Sequence, residues 1–329
     1  MRHLDPQNLE SIQNILATPL GESWATKKIV QTEDFDSGNM NLSLRLHFAG
    51  GETLFCKQGR PWVEKYPDVA APVGRTSFEG WFLDKLAGSS VAEDIPTIVG
   101  RSDEDQILIL EDLGSTRDGI YLYENAIKKD FAAPLVFLAK LHAFELEDLV
   151  VPFSNNLAMR QLNAFHMYEF PFGKDSAKFL EDNLQELTPL HTKVMDFAAK
   201  NNFASDLKEH YLTGATKDSR LLHGDFYPGS WIYQTSGRFV CIDPEFGFLG
   251  PREFDVGVLI GHAMFCGIKI EPDDLHPYIA AHPETNIQLA YRFAGCEILR
   301  RLFGLAQLPL QTDVDQKASW TETAFSWLV

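Results

Sequence analysis

The sequence is short of cations. Its 329 residues carry 29 Lys and Arg against 46 Asp and Glu, a formal net charge of −17, and no basic run occurs. Binding nucleic acid over a broad surface requires Lys and Arg to neutralise phosphates, so that class of function is excluded, while a local cationic pocket for a nucleotide is not. Cysteine is sparse too. Cys56, Cys241, Cys266 and Cys296 stand far apart, and none forms the CxxC or CxH pair of a metal site, so reduced thiols are expected. No apolar run approaches the roughly 18 residues of a membrane span. The opening MRHLDPQNLESIQ is polar where a secretory leader needs an apolar stretch, which places the chain in the cytoplasm with no membrane partner. Repeats and low-complexity segments are missing as well.

What is present suffices for one large core or two medium ones, since 45% of the residues are hydrophobic and 23% charged. Residues 6–17 have the spacing of a short helix. Leu42, Leu44, Leu46 and Phe48 then alternate, which predicts a hairpin turned at Gly50-Gly51. Residues 76–86 return to a helical period with Phe78, Trp81, Phe82 and Leu86 on one stripe, and TIVG and QILILEDL form a further strand pair around a polar turn. From Ala132 the pattern is mostly helical, and the last long helix is expected from about Asn286 to Leu305. The expected fold is α+β, with a small β-rich lobe at 1–112 and a larger, mostly helical lobe at 113–329, joined through Glu111-Asp112-Leu113-Gly114.

Chemistry concentrates after residue 220. His223-Gly224-Asp225 is followed by Ser230, by Asp243-Pro244-Glu245 across a two-stranded ribbon, and by Asp255-Val256-Gly257. A hairpin between Asp225 and Asp243 would bring these polar loops to one end. Phosphoryl transfer needs a carboxylate near the attacking hydroxyl, acidic ligands for Mg²⁺ and a cation on the nucleotide phosphates. Asp225 suits the first need, with a turn-capping Asp as the bland alternative. Asp243 and Glu245 supply hard oxygens for the second, unless they are an exposed acidic turn. Ser230 either offers a metal a neutral oxygen or closes the loop by a local hydrogen bond. His223 organises the loop, and Asp255 accepts backbone N–H groups or caps a helix. Lys57, at the end of the apolar run TLFCK, would meet the α- and β-phosphates, with Glu79 as its orienting partner. Gly38, Asn39 and Asn41 let backbone approach phosphates, or else turn one strand into the next.

LLHGDFYPGSWI followed by VCIDPEFGFLGPREFDVG resembles the aminoglycoside phosphotransferase and choline kinase superfamily, whose loops read H-G-D-x-x-x-x-N and then D-x-D or D-x-E. Ser230 stands where most members have Asn. That departure, together with DSGNMN (residues 36–41), KQGRPWV (57–63) and AGCEILRRLFGLA (294–306), is similar to the 5-methylthioribose kinases. The resemblance implies a bilobal protein-kinase-like fold, ATP and Mg²⁺ as cofactors, and a small-molecule hydroxyl as acceptor. It also implies an interlobe hinge at Glu111 and Leu113 that reads adenine through its backbone, and an approach of Arg300 and Arg301 to the sugar. Adjacent helix positions lie about 100° apart, so only one of these arginines is expected to face a given ligand.

The leading function is therefore transfer from ATP to 5-methylthioribose, at its 1-hydroxyl by resemblance. Aminoglycosides, choline or ethanolamine, and fructosamines are alternative acceptors, and a catalytically silent kinase-like binding module is the non-enzymatic alternative. Only nine residues separate Glu245 from Asp255, too few for a long activation segment, which argues against a protein kinase. A homodimer stays open by analogy.

Overall fold

The computed structural model describes all residues except 36–39, 115, 147–150, 214 and 309. The chain forms two compact units, Met1–Arg117 with Ile232–Glu245, and Asp118–Trp231 with Phe246–Val329. The fold is protein-kinase-like, with mixed sheet and helix.

The first unit begins with α1 (Leu9–Leu16) and a five-stranded antiparallel sheet of β1 (Ile29–Asp34), β2 (Leu42–Phe48), β3 (Thr53–Gln58), β4 (Ile98–Ser102) and β5 (Ile107–Glu111). The sheet order is β1–β2–β3–β5–β4. Leu42, Leu44, Leu46 and Phe48 of β2 join Leu54 and Cys56 of β3 in one core with Ile12, Ile15 and Leu16 of α1. Because side chains alternate across a strand, Lys57 leaves β3 on the face opposite Cys56. On that face α2 (Arg75–Leu86) supplies Glu79, while Phe78, Phe82 and Leu86 are buried along its apolar stripe. β1 was not anticipated; IVQTED carries charge and polarity because only Ile29 in it is buried.

A boundary at residue 112 does not describe the units. The hairpin of β7 (Trp231–Gln234) and β8 (Phe239–Cys241) returns to the first unit, where Gln234 Nε2 donates to the Leu113 carbonyl at 2.9 Å and Arg238 Nε to the Glu93 carbonyl at 2.6 Å. These are long-range polar ties that strand periodicity does not encode.

The second unit is built on α3 (Ala132–His142), α4 (Pro152–Tyr168), α5 (Lys174–Asn183), α6 (Thr188–Lys200), α7 (Phe203–Leu212), α8 (Glu253–Phe265), α9 (Ile287–Phe303) and α10 (Val314–Leu328). A short antiparallel pair, β6 (Arg220–Leu222) and β9 (Phe248–Gly250), crosses it. Met167, Tyr168 and Phe170, in the aromatic segment that closes α4, are core residues. The last helix is not α9. Asp313 caps α10 by accepting from the Gln316 N–H at 2.8 Å, and Trp320, Ala324 and Leu328 dock it on the core. Among the described residues no helix is long and apolar enough to cross a membrane.

Helices α8 and α9 pack closely because Gly257 has no side chain: a Cβ there would meet the Ala290 carbonyl and the Phe293 Cβ, each at 2.6 Å. Gly257→Ala is expected to force the helices apart and to destabilise the chain by about 1–3 kcal/mol. Urea titration of the full chain measures this; an unchanged midpoint would show that the helices separate freely.

Candidate functional site

In the first unit, the Lys57 ammonium lies between two carboxylates. It bonds Glu79 Oε1 at 2.8 Å and pairs with Asp243, with the Glu79 side chain fully buried and that of Asp243 about 43% exposed. Asp243 takes a left-handed backbone conformation, φ +63°, where the chain turns from the strand toward Glu245. Glu245 is buried, and Oε2 accepts from Asn41 Nδ2 at 2.8 Å. Burial raises its carboxyl above the ordinary carboxylate range, against the pull of Arg75 and Lys57. Glu111 Oε1 accepts from the Thr97 N–H at 3.0 Å, and the Leu113 carbonyl takes the Gln234 amide. Gly38 and Asn39 lie outside the described residues.

In the second unit, the His223-Gly224-Asp225 loop is anchored from beneath. Asp255, fully buried in the first turn of α8, accepts the His223 N–H at 2.7 Å and the Gly224 N–H at 3.0 Å, and its Oδ2 is 3.2 Å from His142 Nε2. Gly224 is required twice over. Its φ is +84°, and a Cβ would meet the Phe246 carbonyl at 2.0 Å. His223 Nδ1 accepts from the Asp225 N–H at 3.3 Å, and Ser230 Oγ donates to the Asp225 carbonyl at 3.1 Å, closing the loop. The Asp225 side chain keeps about 18% of its surface exposed.

Both arginines reach it. Arg300 Nη1 lies 3.4 Å and Arg301 Nη2 3.1 Å from the same oxygen, Asp225 Oδ1. Their Cα directions diverge, but Glu297 sits one turn back and draws both side chains to one side. It accepts from Arg300 Nη1 at 2.9 Å and from Arg301 Nε at 2.6 Å. Behind Glu297, His262 Nε2 lies 3.0 Å from Oε1, and Tyr123 Oη is 2.6 Å from His262 Nδ1. The Arg301 guanidinium also covers the Tyr227 ring at 4.5 Å. Burial alone would raise the Glu297 carboxyl, but Arg300, Arg301 and the His262 hydrogen bond hold it well below its ordinary value.

Arg75, His142, His262, Tyr123 and Glu297 escaped the sequence reading. For Glu297 a signal exists, since E-x-x-R-R places one carboxylate three and four residues before two cations on a helix. The others are isolated residues whose partners come from distant segments.

The pattern of the phosphotransferase enzyme family matches residues 35–282, most of the chain. The chain belongs to that family. This phosphotransferase is 25% identical to a methylthioribose kinase of Bacillus velezensis over 94% of its own length and 86% of the relative's. It is also 25% identical to a methylthioribose kinase of Exiguobacterium sibiricum, over 87% and 82% respectively. Among solved structures it is similar to a spectinomycin phosphotransferase in complex with ADP and spectinomycin, with a TM-score of 0.55, 12% identity and coverage of 98% and 99% of the two chains. A choline/ethanolamine kinase family protein from Mesorhizobium loti gives a TM-score of 0.51 at 15% identity, with 96% and 92% covered. These two establish the shared fold.

Acid should destabilise the phosphotransferase in a defined window. Burial, with Arg300 adding to it at His166, lowers His166 and His262 to about 4. An unfolded His titrates near about 6.5, so below that value the unfolded chain binds protons that the fold resists. Their effect is nil above pH 6.5 and grows as the pH falls toward 4. Glu297, depressed in the fold, contributes stability above the ordinary Glu range near about 4.3 and loses it on further acidification. Thermal melts are expected to show Tm declining from about pH 6.5 downward, and His166→Gln to flatten the upper part of the decline. A Tm constant down to pH 5 in the wild type would contradict this.

Proposed function

We propose that this phosphotransferase is an ATP- and Mg²⁺-dependent kinase of a small sugar, with the 1-hydroxyl of 5-methylthioribose as the leading acceptor. The single observation that carries the reading is the Asp225 carboxylate, fixed at a loop tip by Asp255 beneath it and by two guanidinium groups beside it. In this role Asp225 orients the acceptor hydroxyl and takes its proton as the phosphoryl group transfers, work in which placement matters more than basicity. Lys57, held by Glu79, meets the ATP phosphates.

The donor set of the first unit suits Mg²⁺. Asp243 and Glu245 offer hard oxygens one residue apart, and Mg²⁺ is commonly held by one or two carboxylates, its remaining positions going to phosphates and water. When bound, the ion neutralises charge on the β- and γ-phosphates. Lys57 pairs with Asp243, so the cation that would meet phosphate stands beside a carboxylate that would hold the ion. Ser230 Oγ donates its proton to the Asp225 carbonyl and so closes the loop, which leaves its lone pairs open to a metal as the alternative role.

Sequence likeness to methylthioribose kinases supports the acceptor, and so does charge. Arg300 and Arg301 stand beside Asp225, so a cationic acceptor such as choline or an aminoglycoside would meet two guanidinium groups at short range.

The test is ATP consumption with Mg²⁺ across a panel led by 5-methylthioribose and including choline and an aminoglycoside. Methylthioribose should stimulate turnover, and Asp225→Asn should lower kcat by about 10²–10⁴-fold while leaving the KM for ATP little changed. Stimulation by a cationic amine alone would sink the acceptor assignment and leave the chemistry; equal turnover by the Asn variant would remove Asp225 from its role.

A further inference from the structure

Arg75 has no place in the chemistry above, yet every donor of its side chain is engaged. It stands at the start of α2 with its side chain fully buried. A guanidinium carries five N–H donors in a rigid fork, and all five are used. Nε donates to Asn41 Oδ1 at 2.7 Å, Nη1 to the Arg60 and Pro72 carbonyls at 2.8 Å each, and Nη2 to the Met40 and Trp62 carbonyls at 2.7 and 3.4 Å. None of these acceptors is a carboxylate; Glu245 Oε2 is 3.7 Å from Nε. Burying a cation without a directly bonded anion is unfavourable, and burial does lower the Arg75 pKa. Carbonyl stapling alone would not require the Nε branch.

That branch leads to the metal arm. Arg75 can only donate, so the Asn41 amide has one workable orientation: Oδ1 toward the guanidinium and Nδ2 toward Glu245, whose Oε2 it meets at 2.8 Å. Asn41 therefore passes the rigidity of the fork to a single carboxylate oxygen. We propose that Arg75, acting through Asn41, is the positioning residue that sets the orientation of Glu245 and thereby the affinity of the first unit for the metal. The inference rests on Glu245 being a metal ligand, as in the reading above. It also gives Asn41 a role through Glu245, in place of direct phosphate contact.

The experiment measures metal binding and not turnover. Mn²⁺, standing in for Mg²⁺, is titrated into the ADP-saturated full chain and followed by electron paramagnetic resonance, for the wild type, Arg75→Lys and Asn41→Ala. Residues that orient a metal ligand typically contribute ~10–100-fold to affinity, so both variants are expected to bind Mn²⁺ that much more weakly while their ADP affinity without metal is unchanged. Lysine keeps the charge but not the fork. Asn41→Ala leaves the four carbonyl bonds of Arg75 in place, so it decides the matter even if Arg75→Lys fails to fold. Wild-type Mn²⁺ affinity in folded Asn41→Ala, with only a lowered Tm, overturns the inference and leaves the kinase reading standing. No Mn²⁺ binding by the ADP-bound wild type overturns the metal arm of both.

Discussion

Two guanidinium groups can stand side by side inside the second unit only because Glu297 stands between them. Like charges on adjacent residues repel, and a buried pair without a counter-ion would be strongly unfavourable. Glu297 removes both difficulties by accepting from Arg300 and Arg301 at once, and its own lone pairs are further satisfied by His262. The remaining positive charge then falls on one oxygen of Asp225. Because burial lowers His262 to about 4, it supplies a hydrogen bond without adding a third positive charge beside the two arginines.

The first unit meets the same constraint with the opposite sign. There the surplus is acidic: Glu79, Asp243 and Glu245 stand near one another, and Lys57 and Arg75 keep them in place. The two cations work differently. Lys57 is a point charge that two carboxylates share and that a phosphate would compete for, whereas Arg75 is a rigid fork locked onto backbone carbonyls. One is suited to exchange partners during a reaction, and the other to hold a fixed geometry through it.

The sequence was most legible where a local rule governs. Alternation gave β2 and β3, and with them the face on which Lys57 emerges; the helical stripe gave α2 and Glu79 on it. The loops of residues 223–225 and 243–245 stood out because Gly and Pro flank closely spaced carboxylates. Legibility ended where partners come from distant segments. The meeting of His262 with Tyr123, of Arg75 with Asn41, and of the β7–β8 hairpin with Leu113 depends on tertiary packing that no short window contains. Helix α10 was missed for a different reason: its cap and three apolar contacts are ordinary signals, but they follow a segment with Pro and Gln that reads as an ending. The convergence of the arginine pair on Asp225 was not legible from spacing alone, since long side chains can converge from diverging Cα positions when one anion draws both.

A fold shared with a spectinomycin phosphotransferase and with a choline/ethanolamine kinase family protein at 12% and 15% identity leaves acceptor choice to a few side chains. In this chain those next to Asp225 are arginines. If Asp225 orients the acceptor, as proposed, an ammonium-bearing acceptor would have to approach it past two guanidinium groups and would meet repulsion at short range. A neutral sugar would meet no such barrier. If the phosphoryl group arrives beside Asp225, as proposed, the same groups would face the negative charge it brings, and the arrangement would be more complementary to the transferring phosphoryl group than to the free hydroxyl.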